Sequence, residues 1–167
     1  MSVEKKTIMP MMKMPKIHLW WFPLSQPCRA VKALLDAGDI PYESHCVNPL
    51  KGENKTPEIL ALQPSGAIPF ITVDGQTYNE SAAILRFIAC KFPSCHKYYP
   101  EGVEHRAKID AMLDFNGTTL REPSMGAFRG IVFQRMKGTE PDAAAHEAAK
   151  ASNEKLLGIL AGMESSM

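Results

Sequence analysis

The chain has 167 residues, enough for one domain or two small ones. Lys+Arg 19 against Asp+Glu 18 leaves a formal net charge of +1. There is thus no basic excess to point to nucleic acid and no like-charge block to suggest a solvated tail. No apolar run approaches the ~20 residues of a membrane span.

The first sixteen residues, "MSVEKKTIMPMMKMPK", are rich in lysine and methionine and hold one acid. Pro10 and Pro15 interrupt any helix there, and the absence of arginine argues against a mitochondrial presequence. Residues 1–16 therefore read as an N-terminal extension that a partner would order. The methionines of "MPMMKM" read as either an adhesive surface or part of that tail.

"KIHLWWF", Lys16 to Phe22, predicts a buried strand ended by Pro23. In "LSQPCRAV", Ser25 suits a helix N-cap and Pro27 a first helical turn. Val31, Leu34 and Leu35 follow at helical spacing, and Gly38 marks the stop. "PYESHCV" then predicts a second strand, and a right-handed crossover makes it parallel to the first. A short helix is expected around Thr56 to Leu62. Pro69 opens a third strand, "DGQ" is a turn signal, and Gln76 to Tyr78 pairs back as a hairpin. "ESAAILRFIACKF" is helical, with Ile84, Phe87 and Ile88 on one face.

The order βαβ, short helix, ββα predicts an α/β, thioredoxin-like N-terminal domain over residues 17–97, a mixed four-stranded sheet with helices on its faces. "PSCHKYYPEG" reads as a linker. Residues 98–167 predict an all-α domain with one helix from Val103 to about Met125, kinked or ended near Pro123, and Ile109, Met112, Leu113 and Leu120 inward. A second helix follows, with Ala145, Ala148, Ala149, Leu156, Ile159 and Leu160 on one face.

The turn after the first strand of such a domain is where a redox CxxC sits. Here it reads Ser25-Gln26-Pro27-Cys28. A hydroxyl replaces the first thiol, so dithiol exchange is lost, and Cys28 reads as a small buried hydrophobe. Cys28, Cys46, Cys90 and Cys95 show neither zinc pairing nor a secreted disulfide pattern, which suits reduced thiols in an intracellular compartment. A serine at this place can instead donate its O–H to a thiolate brought by a ligand, with the helix N-terminus adding partial positive charge. A free thiol of pKa about 8.5 is only about 3% ionised at neutral pH. Lowering that pKa by about two units requires ~2.7 kcal/mol of differential interaction and raises the thiolate about 25-fold. A charge-assisted hydrogen bond and a helix end together can supply this.

"LSQPCRAV" followed by "DIPYE", "IPF", "ESAAIL" and "HRAKIDAMLDFNGTTLREP" resembles the glutathione S-transferases, theta class, in a collinear match from about Ile17 to Gly138. The resemblance implies a protein that binds glutathione as substrate and activates its thiol for attack on electrophiles, the chemistry of detoxification. It implies that Ser25 stabilises the thiolate and that Gln26 follows in the same turn. Pro69 matches the family's cis-proline, which would leave the N–H and C=O of Ile68 to pair with the cysteinyl part of glutathione. Glu80 and Ser81 match the pair that holds the γ-glutamyl end. Asp110 matches an acid that reaches the neighbour's glutathione in related dimers. Each also has a plain structural reading: Ser25 and Ser81 as caps, Pro69 as the start of an edge strand, Glu80 as dipole complement, Asp110 as surface charge.

The sequence departs from the family's pattern in three places. Ala67 stands where a lysine is usual beside the glycyl carboxylate, and Asn54 where a histidine is usual, with Lys51 and Lys55 placed to compensate. The helical domain is shorter than in the family, which implies a homodimer or an obligate partner protein covering it. The alternative function is accordingly a non-catalytic structural or binding subunit of a larger assembly.

No metal is expected. His18 adjoins the tryptophans without ligand companions and reads as structural. His45 and Cys46, adjacent in a strand, point to opposite faces. Trp20 and Trp21 read as core and interface mass. Neither nucleic acid nor a membrane is an expected partner. A cytoplasmic location is expected, with a mitochondrial or other organelle as the alternative.

Overall fold

The computed structural model describes residues 14–164. Most of the N-terminal extension, residues 1–13, lies outside the described residues. The chain divides into two compact units between Ile88 and Ala89.

The first unit is built on a four-stranded sheet in the order β2-β1-β3-β4. Strand β1 is Ile17–Trp21, β2 Glu43–Cys46, β3 Phe70–Val73 and β4 Gln76–Tyr78. β1 runs parallel to β2 and antiparallel to β3, and β3 runs antiparallel to β4. The mixed sheet and the parallel crossover match the sequence expectation. Helix α1, Gln26–Ala37, supplies that crossover. Gly38 closes it, its N–H reaching Leu34 C=O at 3.1 Å. Helix α2 is Pro57–Leu62, capped by the Thr56 hydroxyl accepting from Ile59 N–H, and α3 is Ser81–Lys91.

Strand alternation divides the sheet into two faces. One carries Ile17, Leu19, Ile71 and Val73, all buried, as are Val31 and Leu35 of α1 and Ile84 and Ile88 of α3. The other carries Trp20 and Phe70, packed with Val47, Ile59 of α2 and Ile68. The Phe70 and Trp20 rings stack 4.7 Å apart. Phe87, expected inward, is half-buried and stacks on Tyr78. Cys28 is fully buried, as expected of its inward helical position.

The second unit is helical and differs from expectation in four ways. The "linker" is a tight helical run, Pro93–Tyr98, with Cys95 fully buried. The helix from Val103 does not end near Met125. It continues as α4 (Val103–Phe115), α5 (Arg121–Ala127) and α6 (Phe133–Met136), joined by wider i→i+5 turns at Asn116–Leu120 and Phe128–Val132. A proline in a regular helix clashes with the carbonyl four residues back. For Pro123 that residue is Thr119, inside the first widened turn, so the chain passes the proline without stopping. Met112, expected inward, is 51% exposed.

The fourth difference, a partial one, is the packed face of α7, Ala143–Glu164. Asp142 starts this helix by accepting from Ala145 N–H at 2.7 Å. Ala149 is buried, and Ala145, Ser152, Leu156, Ile159 and Met163 are half-buried, while Ala148 and Leu160 are exposed. The stripe is set by close approach of α7 to α5 and the turn after it. A Cβ on Gly126 would overlap the Ser152 side chain, and one on Gly130 would sit 3.4 Å from the Ala145 carbonyl oxygen. Small residues therefore decide which face packs.

Candidate functional site

Strand directions gather most of the expected site residues at one end of the sheet. β1 ends at Trp21 and leads through a short turn to Ser25. Because β3 is antiparallel to β1, it starts at that same end, just after Ile68 and Pro69. β4 returns to it, delivering Glu80 and Ser81. β2, parallel to β1, also ends there and leads to Asn48 and the turn holding Lys51.

Ser25 occupies the N-cap position of α1, in extended conformation, with its N–H held by Phe22 C=O at 3.0 Å. Its hydroxyl makes no capping hydrogen bond, and no acidic residue lies in the first turn. No acid of the first turn of α1 offsets the partial positive charge of that helix end, and a half-buried hydroxyl stands beside it. Gln26, next in the turn, is exposed.

The Ile68–Pro69 peptide is cis, as the resemblance implies. The loop before it is tied down by two side chains. Asn54 Nδ2 donates to Gly66 C=O at 2.9 Å, and Lys55 Nζ donates to Ser65 C=O at 2.7 Å. Gly66 has φ 64 and lies against the Asn54 backbone, so a side chain there would collide. Asn54, read from sequence only as a missing histidine, is a fastener of this loop. Lys55 carries the same duty. Lys51 is exposed on its own turn.

Glu80 adopts a left-handed backbone conformation (φ 61), uncommon for a non-glycine residue. Its C=O accepts from Ile84 N–H at 2.9 Å, which makes it the residue that opens α3, and its side chain is exposed. Ser81 is the first residue of α3, half-buried, again with no acid in the first turn. Two helix N-termini, each beside a serine, therefore stand at the end of the sheet that the strands share. Asp110 belongs to the helical unit, where the Tyr99 hydroxyl lies 3.0 and 2.9 Å from its two carboxylate oxygens.

Farther along α1, Lys32 donates to Asp36 at 2.7 Å and Tyr42 donates to the same carboxylate at 2.8 Å. These hydrogen bonds push the Lys32 ammonium up to about 12 and hold the Asp36 carboxyl below its usual range, while burial pushes the Tyr42 phenol up.

At the opposite end of β1 the structure corrects one reading. His18 does have ligand companions. The parallel register pairs His18 with Glu43 and Trp20 with His45, which brings two imidazoles and a carboxylate together from positions 27 residues apart. His45 and Cys46 do point to opposite faces, as expected, but His45 finds its neighbours across the strands. Sequence spacing within one segment carries no signal of this cluster; only the β1–β2 register does.

Residues 25–90 match the family model for the glutathione S-transferase N-terminal domain. The first unit is such a domain, thioredoxin-like in fold. The chain is 36% identical over 98 residues to glutathione S-transferase theta-1 of Rattus norvegicus, covering 59% of this chain and 41% of that one. It is 33% identical over 137 residues to glutathione S-transferase F9 of Arabidopsis thaliana, covering 81% and 62%. Among solved structures it is similar to human glutathione S-transferase T1-1, with TM-score 0.73 and 27% identity over 84% of this chain and 58% of that one. The chain is therefore theta-like, and it spans about two fifths of the rat protein and three fifths of the plant one.

Proposed function

We propose that this chain binds glutathione at the shared strand end of its sheet, within an N-terminal domain proposed to span residues 17–97, and activates the thiol for attack on an electrophile. One observation carries the reading: the strand order collects Ser25, the cis Ile68–Pro69 peptide, Glu80 and Ser81 at one end of the sheet, beside the N-termini of α1 and α3. Human theta-2, 25% identical with TM-score 0.76, has been solved in complex with glutathione, which supports the choice of ligand.

In this reading the thiolate sits before α1. The Ser25 O–H donates to its sulfur, and the helix end favours the negative charge. The backbone N–H and C=O of Ile68 hold the cysteinyl peptide as an added strand would. The γ-glutamyl carboxylate lies on Ser81 at the start of α3, and its ammonium on Glu80. Lys51 and the remaining donors of Lys55 are the cations offered to the glycyl carboxylate in place of a lysine at Ala67. Gln26 is offered to the same ligand from the turn beside Ser25. Asp110 is proposed to reach the glutathione of a second copy.

Titration calorimetry of glutathione into the full chain and its Glu80→Ala variant tests this. Binding that the variant weakens tenfold or more, the loss of one charge-assisted hydrogen bond of about 1.5–3 kcal/mol, is the expected result. A folded parent chain that takes up no glutathione would end the reading.

A second reading rests on the helical unit, where Val103, Met112, Leu157 and Leu160 are large apolar side chains left exposed. Such a surface suits a homodimer or a partner protein, and with no electrophile turnover the chain would be a binding subunit of an assembly. Among the described residues no helix is long and apolar enough to cross a membrane. We infer a cytoplasmic location.

A further inference from the structure

We propose that His18, Glu43 and His45 form a binding site for a divalent transition-metal ion of the zinc type, on the face of the sheet across β1 and the edge strand β2 and independent of the glutathione end. His18 Nδ1 and His45 Nε2 face each other at 2.9 Å. Glu43 spans the pair, with Oε2 3.4 Å from His18 Nδ1 and Oε1 3.4 Å from His45 Nε2. A tetrahedral zinc with bonds of about 2.0–2.1 Å holds its donors roughly 3.3 Å apart. Each imidazole nitrogen lies near that distance from one of the two Glu43 oxygens, and one ligand atom from each of the three residues lies within 4.8 Å of the others, so the imidazole pair opens by about 0.4 Å and the carboxylate turns one oxygen toward both rings to hold the ion.

The donor chemistry selects the class of ion. Two imidazoles and one carboxylate suit zinc or copper(II), and an all-oxygen cation such as magnesium finds too few oxygens here. Three protein ligands leave a fourth position to water or to an external ligand, and the site can be reached: the side chains of His18, His45 and Glu43 are 21%, 32% and 56% exposed.

The rings are held in place before any ion arrives. His45 stacks on Trp20 with centroids 4.7 Å apart, His18 stacks on His45 at 5.2 Å, and Trp20 in turn stacks on Phe70 of the core. β-Pairing fixes the other axis, since His18 lies opposite Glu43 and Trp20 opposite His45. This aromatic wall is the kind of shell that orients ligands and limits their motion. In the ion's absence one imidazole donates its N–H to the other. For both nitrogens to ligate, the donating ring moves that proton to its other nitrogen, so the pair stays neutral and two lone pairs face the metal.

The test is calorimetric titration of zinc chloride into the full chain, repeated on Glu43→Gln, His45→Gln and Cys46→Ser. Glu43 is the most exposed of the three, so its substitution leaves the fold intact, which circular dichroism checks. One zinc per chain is expected. Glu43→Gln and His45→Gln should each weaken it about tenfold or more, by comparison with the 10–100-fold effects of losing supporting groups around a ligand. Cys46→Ser, on the opposite face, should leave it unchanged. Copper(II) should quench tryptophan emission in the parent and not in His45→Gln, because Trp20 adjoins the ring. Absence of zinc binding would overturn the proposal, as would binding that survives both ligand substitutions or that disappears with Cys46. Glutathione binding by His45→Gln is expected to equal the parent's.

Discussion

Leu19, Val31, Leu35, Phe70, Ile71, Ile84 and Ile88 are fully buried in the sheet unit, whereas the largest fully buried side chains of the helical unit are Pro123 and Cys95. The contrast follows from how each unit closes. A sheet presents two faces of alternating side chains, and β-branched and aromatic residues fill both. In the helical unit, α5 and the turn after it approach α7 through Gly126, Gly130, Ala145, Ala149 and Ser152, so the contact buries small groups, while Leu157 and Leu160 of α7 and Val103 and Met112 of α4 are exposed. The sheet unit is therefore closed by large buried side chains and the helical unit by small ones.

Substitutions can break or sharpen this difference. The largest effect is expected from Phe70→Ala, which removes a ring packed against Trp20, Val47 and Ile59 and should lower stability by about 3–5 kcal/mol. Leu157→Ala, 65% exposed, should change it by less than about 0.5 kcal/mol. Denaturant unfolding of the full chain compares the two.

Next comes Ser25→Ala. It removes the hydroxyl at the head of α1 without touching a core contact, so transferase turnover should fall about tenfold or more while the unfolding midpoint stays put. Steady-state kinetics on a reactive model electrophile, run alongside the unfolding curve, separates the two.

Two glycines then probe the helical unit. Gly126→Ala puts a methyl into Ser152 and should destabilise by about 1–3 kcal/mol. Gly158→Ala meets nothing within 4 Å on the same α7 and should stabilise by up to about 1 kcal/mol through helix propensity. Thermal melts that moved in the same direction for both would refute the close-packed stripe.

The smallest effect concerns Lys32 and Asp36. Asp36 has a lowered pKa, so its contribution is present above the unfolded carboxylate pKa and fades as pH falls through the folded value. Lys32 is raised to about 12, so its contribution holds up to the unfolded value of 10.5 and is lost above it. Asp36 is exposed and Lys32 half-buried, so Asp36→Asn should cost at most about 0.5 kcal/mol at neutral pH and nothing in strong acid. Stability measured against pH in parent and variant checks the sign.

Much of the sheet unit was legible because its signals are local. The apolar run of β1, the Ser25 and Pro27 start, the Gly38 stop and the "DG" turn each specify their own segment. The expected site residues of the sheet unit were legible as residues, through a family resemblance, but their convergence depends on strand direction. What stayed hidden depends on neighbours distant in sequence. Asn54 fastens Gly66 twelve residues away, and His45 meets His18 across the parallel register. In the helical unit, helix propensity read correctly as helix. The packed face of α7 was read correctly at Ala145, Ala149, Leu156 and Ile159 and missed at Ala148 and Leu160, which are exposed, and at Ser152, which meets Gly126 and carries no hydrophobic signal. The widened turns that pass Pro123 had no signal in the apolar pattern.

The central claim is that the end of the sheet bearing Ser25 turns bound glutathione into a thiolate. The most direct measurement is the ultraviolet thiolate absorbance of glutathione bound to the full chain, followed against pH, in the parent and in Ser25→Ala. The account predicts a thiolate that forms about two pH units below free glutathione in the parent and reverts toward the free value in the variant. Identical titrations in parent and variant, with glutathione bound in both, would contradict it.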